Sequence, residues 1–282
     1  MNSVTAEIQQ KINQLRSLYA ERNLPEEWLC DILKDIHIWS AYSLRHGGSY
    51  SIPNHQKGWF DSIFSGQILR IGRLQYIKSH FGGKIVVFRR NNDLAVMSED
   101  GLYFDEQGMR AEIGWKSILQ CRGNCWEGNP IRNGRAEQKL MKLNANEWKI
   151  VLRHDDPMIA IHIPEDGPMN AEDCRTSMKR AAEWFTLHDP DWKGFFCQSW
   201  LLNPIFQTFL SKTSNIIQFQ QIGILYSMIC QSDILNRLHA GRLRDFVLEK
   251  QKSGFEFKNG GMFILKEEIG HIDQKTNENL SE

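Results

Sequence analysis

Residues 158–225 decide the fold, because strand-like and helix-like segments alternate there with a short polar stretch at nearly every junction. The order reads as strand, loop, helix, strand, helix and strand. Such an order predicts an α/β layer, in which functional groups lie at the ends of strands. The segments are MIAIHIP (158–164), EDGPMN (165–170), AEDCRTSMKRAAEWF (171–185), FFCQSWLL (195–202), NPIFQTFL (203–210) and SNIIQFQ (214–220).

The sequence before this stretch predicts two helices followed by strands. Apolar residues recur at helical spacing through the first 46 residues, and Pro25 followed by two glutamates marks the start of the second helix. Ile68–Lys78 alternates as a single strand, on which Arg73 and Gln75 share a face. Turn residues at Asn91–Asp93 then predict a β-hairpin.

The sequence after this stretch predicts a helix over Ser232–Lys252 and a second hairpin, whose turn is Asn259 with Gly260. The Gly- and Asn-rich segment 122–135 reads as a loop at a domain boundary. We therefore predict an α/β fold with a mixed α+β sheet. The predicted parts are an N-terminal helical and β-hairpin domain (1–135), an α/β domain (136–265) and a charged flexible tail (266–282).

Composition and charge narrow the class of function. Lys plus Arg number 34 and Asp plus Glu number 34, and this balance disfavours nucleic acid as the main partner. No uncharged apolar run approaches the ~20 residues that span a bilayer, and the first residues lack the pattern of a secretory signal. We expect a cytoplasmic protein that acts on a small-molecule substrate, without nucleic acid or membrane as a partner.

The cysteines do not predict a metal site. Six cysteines are scattered along the chain, and the close pair Cys121 and Cys125 has no matching His or Cys pair downstream. We therefore expect no metal cofactor. Scattered, reduced thiols also suit a cytoplasmic protein.

His162 is the first candidate for chemistry. In MIAIHIP the isoleucines share one face of the strand, and Ala160 and His162 share the other. An imidazole, whose unperturbed pKa is about 6.5, suits the role of a general base. The alternative is a core histidine that satisfies one backbone hydrogen bond.

The loop at 164–170 is a candidate anion site. Asn170 is placed to cap the helix that follows, and backbone N–H groups at a helix start can hold a phosphate or pyrophosphate. Gly167 allows close approach of a ligand. The negative charges of Glu165 and Asp166 favour the alternative, a plain turn from strand to helix.

A second set of candidates lies in FFCQSWLL, where Cys197 and Ser199 share one face and Gln198 lies on the other. A thiol or hydroxyl near an imidazole is the minimal arrangement for nucleophilic or acid/base catalysis. The alternatives are a small buried thiol and a hydroxyl that satisfies a backbone group.

Polar residues at other positions are candidates for binding a substrate. Arg73 and Gln75 either line a polar pocket or tie two parts of the protein together, since buried polar groups must be paired. Gln198 joins this set. Asn215 does too, although an Asx-turn is the alternative for it.

Several short motifs occur along the chain in a fixed order. They are GRLQ (72–75), HIP (162–164) with a Gly-Pro following, CQSWLL (197–202) and SNI (214–216), supported by LPEEWL (24–29) and GNPI (128–131). With this set the chain resembles a bacterial family of GNAT-like acyltransferase-domain proteins. These have an N-terminal helical and β domain followed by a C-terminal GNAT-like domain. The resemblance runs roughly from Leu24 to Leu265.

The resemblance implies that residues 136–265 form a GNAT-like acyltransferase domain and that acyl-CoA is the co-substrate. An acyl group would pass from the coenzyme A thioester to an amine. By position, His162 is then the base, and Gly167, Met169 and Asn170 contact the pyrophosphate. Ser199 would donate a proton or stabilise the thiolate.

The loop departs from the usual GNAT pattern of Gln or Arg, Gly, and Gly or Ala. Pro164, Gly167 and Met169 fall at those three places, so the central glycine alone matches. Two alternatives therefore stay open. One is a non-catalytic GNAT-like module that binds a small ligand or a protein, and the other is an enzyme that uses Cys197 with His162.

Overall fold

A computed structural model describes residues 6–49, 51–232, 234–238 and 241–273. The α-helices are α1 (Ala6–Glu21), α2 (Glu26–Arg45), α3 (Lys57–Phe64), α4 (Ala171–His188), α5 (Asn215–Gln220), α6 (Ile234–Arg237) and α7 (Arg242–Lys252). Short 3₁₀ helices are Asn54–Gln56, Trp200–Leu202, Pro204–Thr208 and Lys266–His271.

The strands are mostly short. They are β1 (Ile68–Ile71), β2 (Leu74–His80), β3 (Ile85–Arg90), β4 (Asp93–Ser98), β5 (Tyr103–Phe104), β6 (Trp115–Lys116), β7 (Leu119–Arg122), β8 (Cys125–Gly128), β9 (Ile131–Arg132), β10 (Arg135–Ala136), β11 (Met141–Asn144), β12 (Lys149–Leu152), β13 (Pro157–His162), β14 (Gly194–Ser199), β15 (Ile224–Gln231) and β16 (Lys258–Leu265).

The chain divides into two compact units, each built from two stretches of sequence. The first comprises residues up to Ser79 together with Ile159–Pro190, and the second comprises His80–Met158 and the residues from Asp191 onward. The predicted domains, by contrast, were continuous stretches. The boundary near residue 135 stays a prediction.

The first unit packs helices against strands. Helices α2 and α4 pack against β1, which pairs antiparallel with β2, and β2 lies beside β13. Ile32 of α2, Phe60 of α3 and Tyr76 of β2 are at most 2% exposed and belong to its core. Their burial follows from the apolar faces that the sequence gives these helices.

The second unit is rich in antiparallel strands. β12, β3 and β4 form one small sheet, β11, β8 and β7 another, and β14, β16 and β15 lie side by side in that order. Helices α5 to α7 contribute to a separate apolar cluster that includes Ile217, Val247 and Phe257. The mixed α+β architecture predicted from sequence is confirmed.

Much of the central stretch folds as predicted. MIAIHIP forms β13, which ends at His162, and α4 begins directly after its cap Asn170. The second N-terminal helix begins after Pro25, and the hairpin at Asn91–Asp93 is the β3–β4 hairpin. These segments have strong periodicity and clear turn residues, so their local sequence was sufficient to predict their secondary structure.

The prediction of a single strand over Ile68–Lys78 was wrong. The segment is the β1–β2 hairpin, and Gly72 with Arg73 forms its two-residue turn. Gly72 has a φ of +63°, which is the left-handed conformation that such turns require and that glycine adopts without strain. Arg73 therefore lies at a hairpin tip and does not share a strand face with Gln75.

The predicted turn at Asn259 and Gly260 was also wrong, because both residues lie within the continuous strand β16. Close packing explains the two glycines of this segment. A Cβ at Gly260 would lie 2.0 Å from the carbonyl oxygen of Leu202, and one at Gly261 would lie 2.1 Å from the Tyr226 ring. Gly260 is therefore required by close packing within β16 and not by a turn.

Two further segments differ from prediction. SNIIQFQ is helical as α5, since the Ser214 hydroxyl caps the N–H of Ile217 at 3.3 Å. Lys266–His271 was predicted as part of a flexible tail but forms a 3₁₀ helix, with Ile269 only 3% exposed. Residues 274–282 of that predicted tail lie outside the described residues.

The glycine contacts in β16 predict the cost of a single methyl group. Gly261→Ala should lower the free energy of unfolding by about 2 kcal/mol, because the new Cβ overlaps a fully buried ring. Urea unfolding of the purified protein measures this. Gly270→Ala is the matched control, since a Cβ there meets nothing within 4 Å. Equal stability of the two variants would contradict the packing argument.

Candidate active site

His162 lies at the end of β13 in the first unit, and its side chain is accessible to solvent. The Trp59 ring packs edge-on against it, with ring centroids 4.5 Å apart and an interplanar angle of 61°. The alternation that buries Ile159 and Ile161 turns His162 to the other face of the strand. His162 is therefore an open position beside an aromatic ring, and not a core histidine.

The protein shifts the pKa of His162 strongly. Protein atoms crowd the ring although solvent reaches it, and this partial desolvation lowers its pKa to about 4. The ring is consequently neutral at pH 7. A neutral, accessible imidazole has a lone pair that can accept a proton from a substrate, although the lowered pKa also makes it a weaker base than an ordinary histidine.

A buried polar network lies beneath Trp59 and is centred on Asp35, which is 2% exposed. The Asp35 carboxylate accepts hydrogen bonds from Gln75 Nε2 at 2.7 Å and from Trp59 Nε1 at 3.4 Å. Its Oδ1 lies 3.5 Å from Arg70 Nη1. Burial raises the pKa of Asp35, and the contacts with Gln75 and Arg70 oppose that shift. Asp35 therefore holds Trp59 in place, and Trp59 in turn packs on His162.

The same network continues into the loop before α4. Arg70 forms an ion pair with Asp166, whose other oxygen lies 3.6 Å from Arg73 Nη1. Arg73 donates from Nη2 to the Gly167 carbonyl at 2.9 Å and from Nε to the Pro168 carbonyl at 3.1 Å. Arg73 thus fixes the backbone of this loop, and both arginines pair with Asp166, a carboxylate that was expected to repel an anion.

The start of α4 has the predicted cap. Asn170 Oδ1 accepts from the N–H of Glu172 at 3.0 Å, and Met169 is 7% exposed and anchors the loop. A Cβ at Gly167 would meet nothing within 4 Å, so the space beside it is open. Of the cofactor-binding candidates, Gly167 and Asn170 border accessible space, whereas Met169 is packed.

The first unit therefore brings six of the predicted residues into one region. His162 connects through Trp59 and Asp35 to Gln75 and Arg70, and from there through Asp166 to Arg73. Arg73 and Gln75 have their partners inside this network. Each links the β1–β2 hairpin to another segment, which is one of the two roles expected for buried polar groups. The sequence candidates within it are His162, Arg73, Gln75, Gly167, Met169 and Asn170.

The remaining candidates lie in the second unit. Cys197 is 2% exposed in β14, and Gln198 is exposed and donates to the Tyr226 hydroxyl at 3.4 Å. The Ser199 hydroxyl accepts from the N–H of Leu201 at 3.3 Å and caps a 3₁₀ helix. Asn215 is exposed at the first position of α5, where Ser214 is the cap.

Sequence reasoning missed Asp35, Trp59 and Arg70. A usable signal existed, because Asp35 falls between Ile32 and Ile36 on the apolar face of α2. A carboxylate at a buried helical position requires a partner. Arg70 is an equally clear exception to its surroundings, because it is the only charged residue in the apolar strand ILRI. Two opposite charges that both interrupt apolar patterns predict a buried pair.

The comparison with protein families identifies the fold. The sequence profile of the family described as the GNAT-like C-terminal domain matches residues 68–252. The chain belongs to this family. The match begins at the first residue of β1, so the hairpin that carries Arg70 and Arg73 is part of the family's domain.

Solved structures of acyltransferases have a similar fold. The complex of an acyltransferase with decanoyl-CoA and teicoplanin has a TM-score of 0.55 at 17% identity, over 90% of this chain and 63% of that chain. A mutant acyltransferase with octanoyl-CoA has a TM-score of 0.54 at 17% identity, over 90% of this chain and 63% of that one. The present chain thus spans less than two thirds of the length of these relatives, and at this identity the likeness establishes the fold.

No curated protein matches the chain. Within the described ranges, no group of three or more His, Cys, Asp or Glu side chains is arranged to hold a metal ion. None of the helices in the described part of the chain is long and apolar enough to cross a membrane.

The lowered pKa of His162 can be measured directly. The imidazole signal that disappears in His162→Gln should titrate by NMR with a midpoint near 4, well below the ordinary value of about 6.5. Removing the packed ring in Trp59→Ala should raise the midpoint toward that ordinary value, because water regains access. A midpoint at or above 6.5 in the wild-type protein would contradict the desolvation of the ring.

The same shift makes stability depend on pH. Between pH 6.5 and 4 the unfolded ring binds a proton and the folded ring does not, so His162 destabilises the fold as the pH drops through this window. His162→Gln should lose this contribution, which urea unfolding at pH 7 and pH 5 measures.

Asp166→Asn should destabilise the first unit. The substitution removes a carboxylate partner from Arg70, whose side chain is 4% exposed, and we expect a loss of about 2 kcal/mol. The control is Asp61→Asn, which breaks an ion pair with Lys11 whose side chains are 66% and 36% exposed and which should cost less than about 1 kcal/mol. Equal effects of the two substitutions in urea unfolding would contradict the role given to Asp166.

Proposed function

We propose that this chain transfers an acyl group from an acyl-CoA to an amine, with His162 as the general base. The observation that carries the proposal is the neutral, accessible imidazole of His162, joined by a continuous network to the loop that precedes α4. Membership of the GNAT-like C-terminal domain family and the fold shared with acyl-CoA complexes support it.

The proposed reaction is a direct transfer. The nitrogen of the neutral amine attacks the thioester carbonyl, a C–N bond forms, and the C–S bond breaks with the electron pair leaving on sulfur. His162 takes the proton that the nitrogen loses, and the thiolate takes a proton from water to give free coenzyme A. Because the ring is neutral before the reaction, it is ready to receive this proton at pH 7.

The pyrophosphate of coenzyme A is proposed to lie at the loop and the start of α4. The pairing of Asp166 with Arg70 and Arg73 supports this, since it compensates the nearest loop carboxylate. Open space beside Gly167 and the N–H groups of the first helical turn supply room and donors. Glu172 in that turn is itself within 3.4 Å of Arg175.

The role that the resemblance implies for Ser199, as a proton donor or a stabiliser of the thiolate, stays a prediction. The Ser199 oxygen already accepts a backbone hydrogen bond, so its own O–H is free to donate. Cys197 is buried, and direct transfer to the amine therefore fits better than an acyl-enzyme formed on this thiol. Gln198 and Asn215 are exposed and remain candidates for contacts with the substrate.

The acceptor is proposed as an amine on a small molecule. One of the similar acyltransferases was crystallised with decanoyl-CoA and teicoplanin, so glycopeptides are one class to test. Acyl chains of eight to ten carbons are suggested by the octanoyl- and decanoyl-CoA complexes of these relatives.

Replacement of the base tests the proposal. His162→Gln should lower kcat by ~10²- to 10⁴-fold while leaving the Kd for coenzyme A unchanged, because it removes proton transfer and not binding. Thiol release from acetyl-, octanoyl- and decanoyl-CoA with a panel of amines measures the first quantity, and calorimetry with coenzyme A the second.

The control for this substitution is His154→Gln, which changes an exposed histidine of the second unit. Full activity of His162→Gln would overturn the assignment of the base. Coenzyme A binding without transfer to any amine would favour the non-catalytic binding module instead.

A further inference from the structure

One face of α2 presents a row of polar aromatic side chains. Trp39 and Tyr42 of α2 follow Asp35 by four and seven residues, which places all three on a single face of the helix, and His46 caps its C-terminal end. The Trp39 and Tyr42 rings meet edge to face with centroids 5.3 Å apart, and Tyr42 stacks on His46 at 4.0 Å. Toward the N-terminus of α2 this face includes Asp35, which accepts a hydrogen bond from Trp59.

A second segment completes the row. The His55 ring lies 6.0 Å from the centroids of both Trp39 and Tyr42. His55 precedes Trp59 by four residues, and Trp59 packs on His162. Ring contacts thus connect His46 through Tyr42 to His55. The backbone from His55 to Trp59 then connects this group to the proposed base, His162. We call Trp39, Tyr42, His46, His55 and Trp59 the aromatic wall.

The aromatic wall is a surface and not part of the core. His46 and His55 are exposed, and Trp39, Tyr42 and Trp59 are half-buried. Phe60, the residue next to Trp59, is 2% exposed, so the same helix also supplies a true core ring. Four of these rings contact one another, and the fifth, Trp59, packs on His162. Partly exposed aromatic side chains near a candidate catalytic group are typical of a ligand-binding surface.

We propose that the aromatic wall binds the acyl acceptor and that the acceptor is an alkyl amine that carries an aromatic ring. This inference rests on the proposed function. The ring of the acceptor packs against Tyr42 and His55, while its amino group reaches Trp59 and His162. Aromatic rings attract other rings through offset or edge-on contacts, and the face of a tryptophan attracts an ammonium group.

The chemistry of the wall distinguishes the acceptor from the acyl chain. Two of its rings are imidazoles with polar nitrogens at an exposed edge, whereas a flexible alkyl chain is best accommodated by an enclosed apolar channel. An amphipathic ring with one charged substituent matches such an edge better. The wall also ends at the base, where the nucleophilic nitrogen must lie.

Ligand-observed NMR without acyl-CoA tests the inference, with tyramine and hexylamine as probes. We expect tyramine to bind about tenfold more tightly than hexylamine, the size of effect that one or two aromatic contacts give. His55→Ala and Tyr42→Leu should each reduce this preference several-fold. His55→Ala changes an exposed side chain, so it remains informative if Tyr42→Leu does not fold.

The chain offers a matched control for the histidine of this row. His46 stacks on Tyr42 with its Nδ1 2.9 Å from the Tyr42 carbonyl oxygen, and His188 stacks on Trp184 with its Nδ1 2.8 Å from the Trp184 carbonyl oxygen. The two substitutions His46→Ala and His188→Ala therefore remove the same local contacts. His46→Ala should weaken tyramine binding, and His188→Ala should not.

The outcomes separate this inference from the proposed function. Equal affinity for the two probes, or equal effects of His46→Ala and His188→Ala, would overturn the aromatic wall as the acceptor site. Variants that change the dependence on acyl chain length and leave amine binding intact would also overturn it, in favour of an acyl-chain site. Selective tyramine binding without any acyl transfer would support the wall while refuting the proposed reaction.

Discussion

The burial of the Arg70 guanidinium is the constraint on which the candidate site depends. A cation that is 4% exposed loses most of its hydration, and it is tolerated only where carboxylates replace the lost water. Asp35 and Asp166 do this from two different segments, the helix α2 and the loop before α4. The loop and the helix are therefore held in register by one charge, and the position of Trp59 follows from the same carboxylate.

The charge state of His162 is set differently from those of Arg70 and Asp35. Among the residues that the structure describes, no charged partner offsets its desolvation, so its neutral form is favoured, whereas Asp35 is buried with donors that favour its charged form. The two groups are separated by the Trp59 indole, which donates to one and packs on the other. The network can thus fix the orientation of the imidazole without adding charge to it.

The sequence predicted regular elements better than it predicted the site. Periodicity identified β13 and α4, and the cap at Asn170 was correct because its signal is local. Gly72 and Gly260 show where local signals fail. Gly72 forms a turn inside a segment whose alternating pattern predicts one continuous strand. Gly260 lies in a strand where only a glycine fits, although the Asn-Gly pair is typical of a turn.

The network could not be read from the sequence because its members are distant along the chain. Gln75 and Asp35 are separated by 40 residues, and Arg73 and Gly167 by 94. Two candidates from one short strand, Cys197 and Ser199, were correctly placed on one face, but their burial and hydrogen bonding depend on neighbouring strands. The spacing of residues in the sequence predicts which side chains are neighbours within one helix or strand, and not which side chains of different elements are neighbours.

The pairing of Arg70 with Asp166 also constrains the order in which the protein can be completed during synthesis. The two residues are 96 positions apart, so Arg70 leaves the ribosome long before its second carboxylate does. Until then the partners of Arg73 in the loop before α4 are missing as well, and Arg70 has only Asp35 available as an acidic partner. A growing polypeptide that stops before Asp166 also lacks α4, so it has neither the second carboxylate nor the helix needed to bury Arg70, and the candidate site cannot yet form.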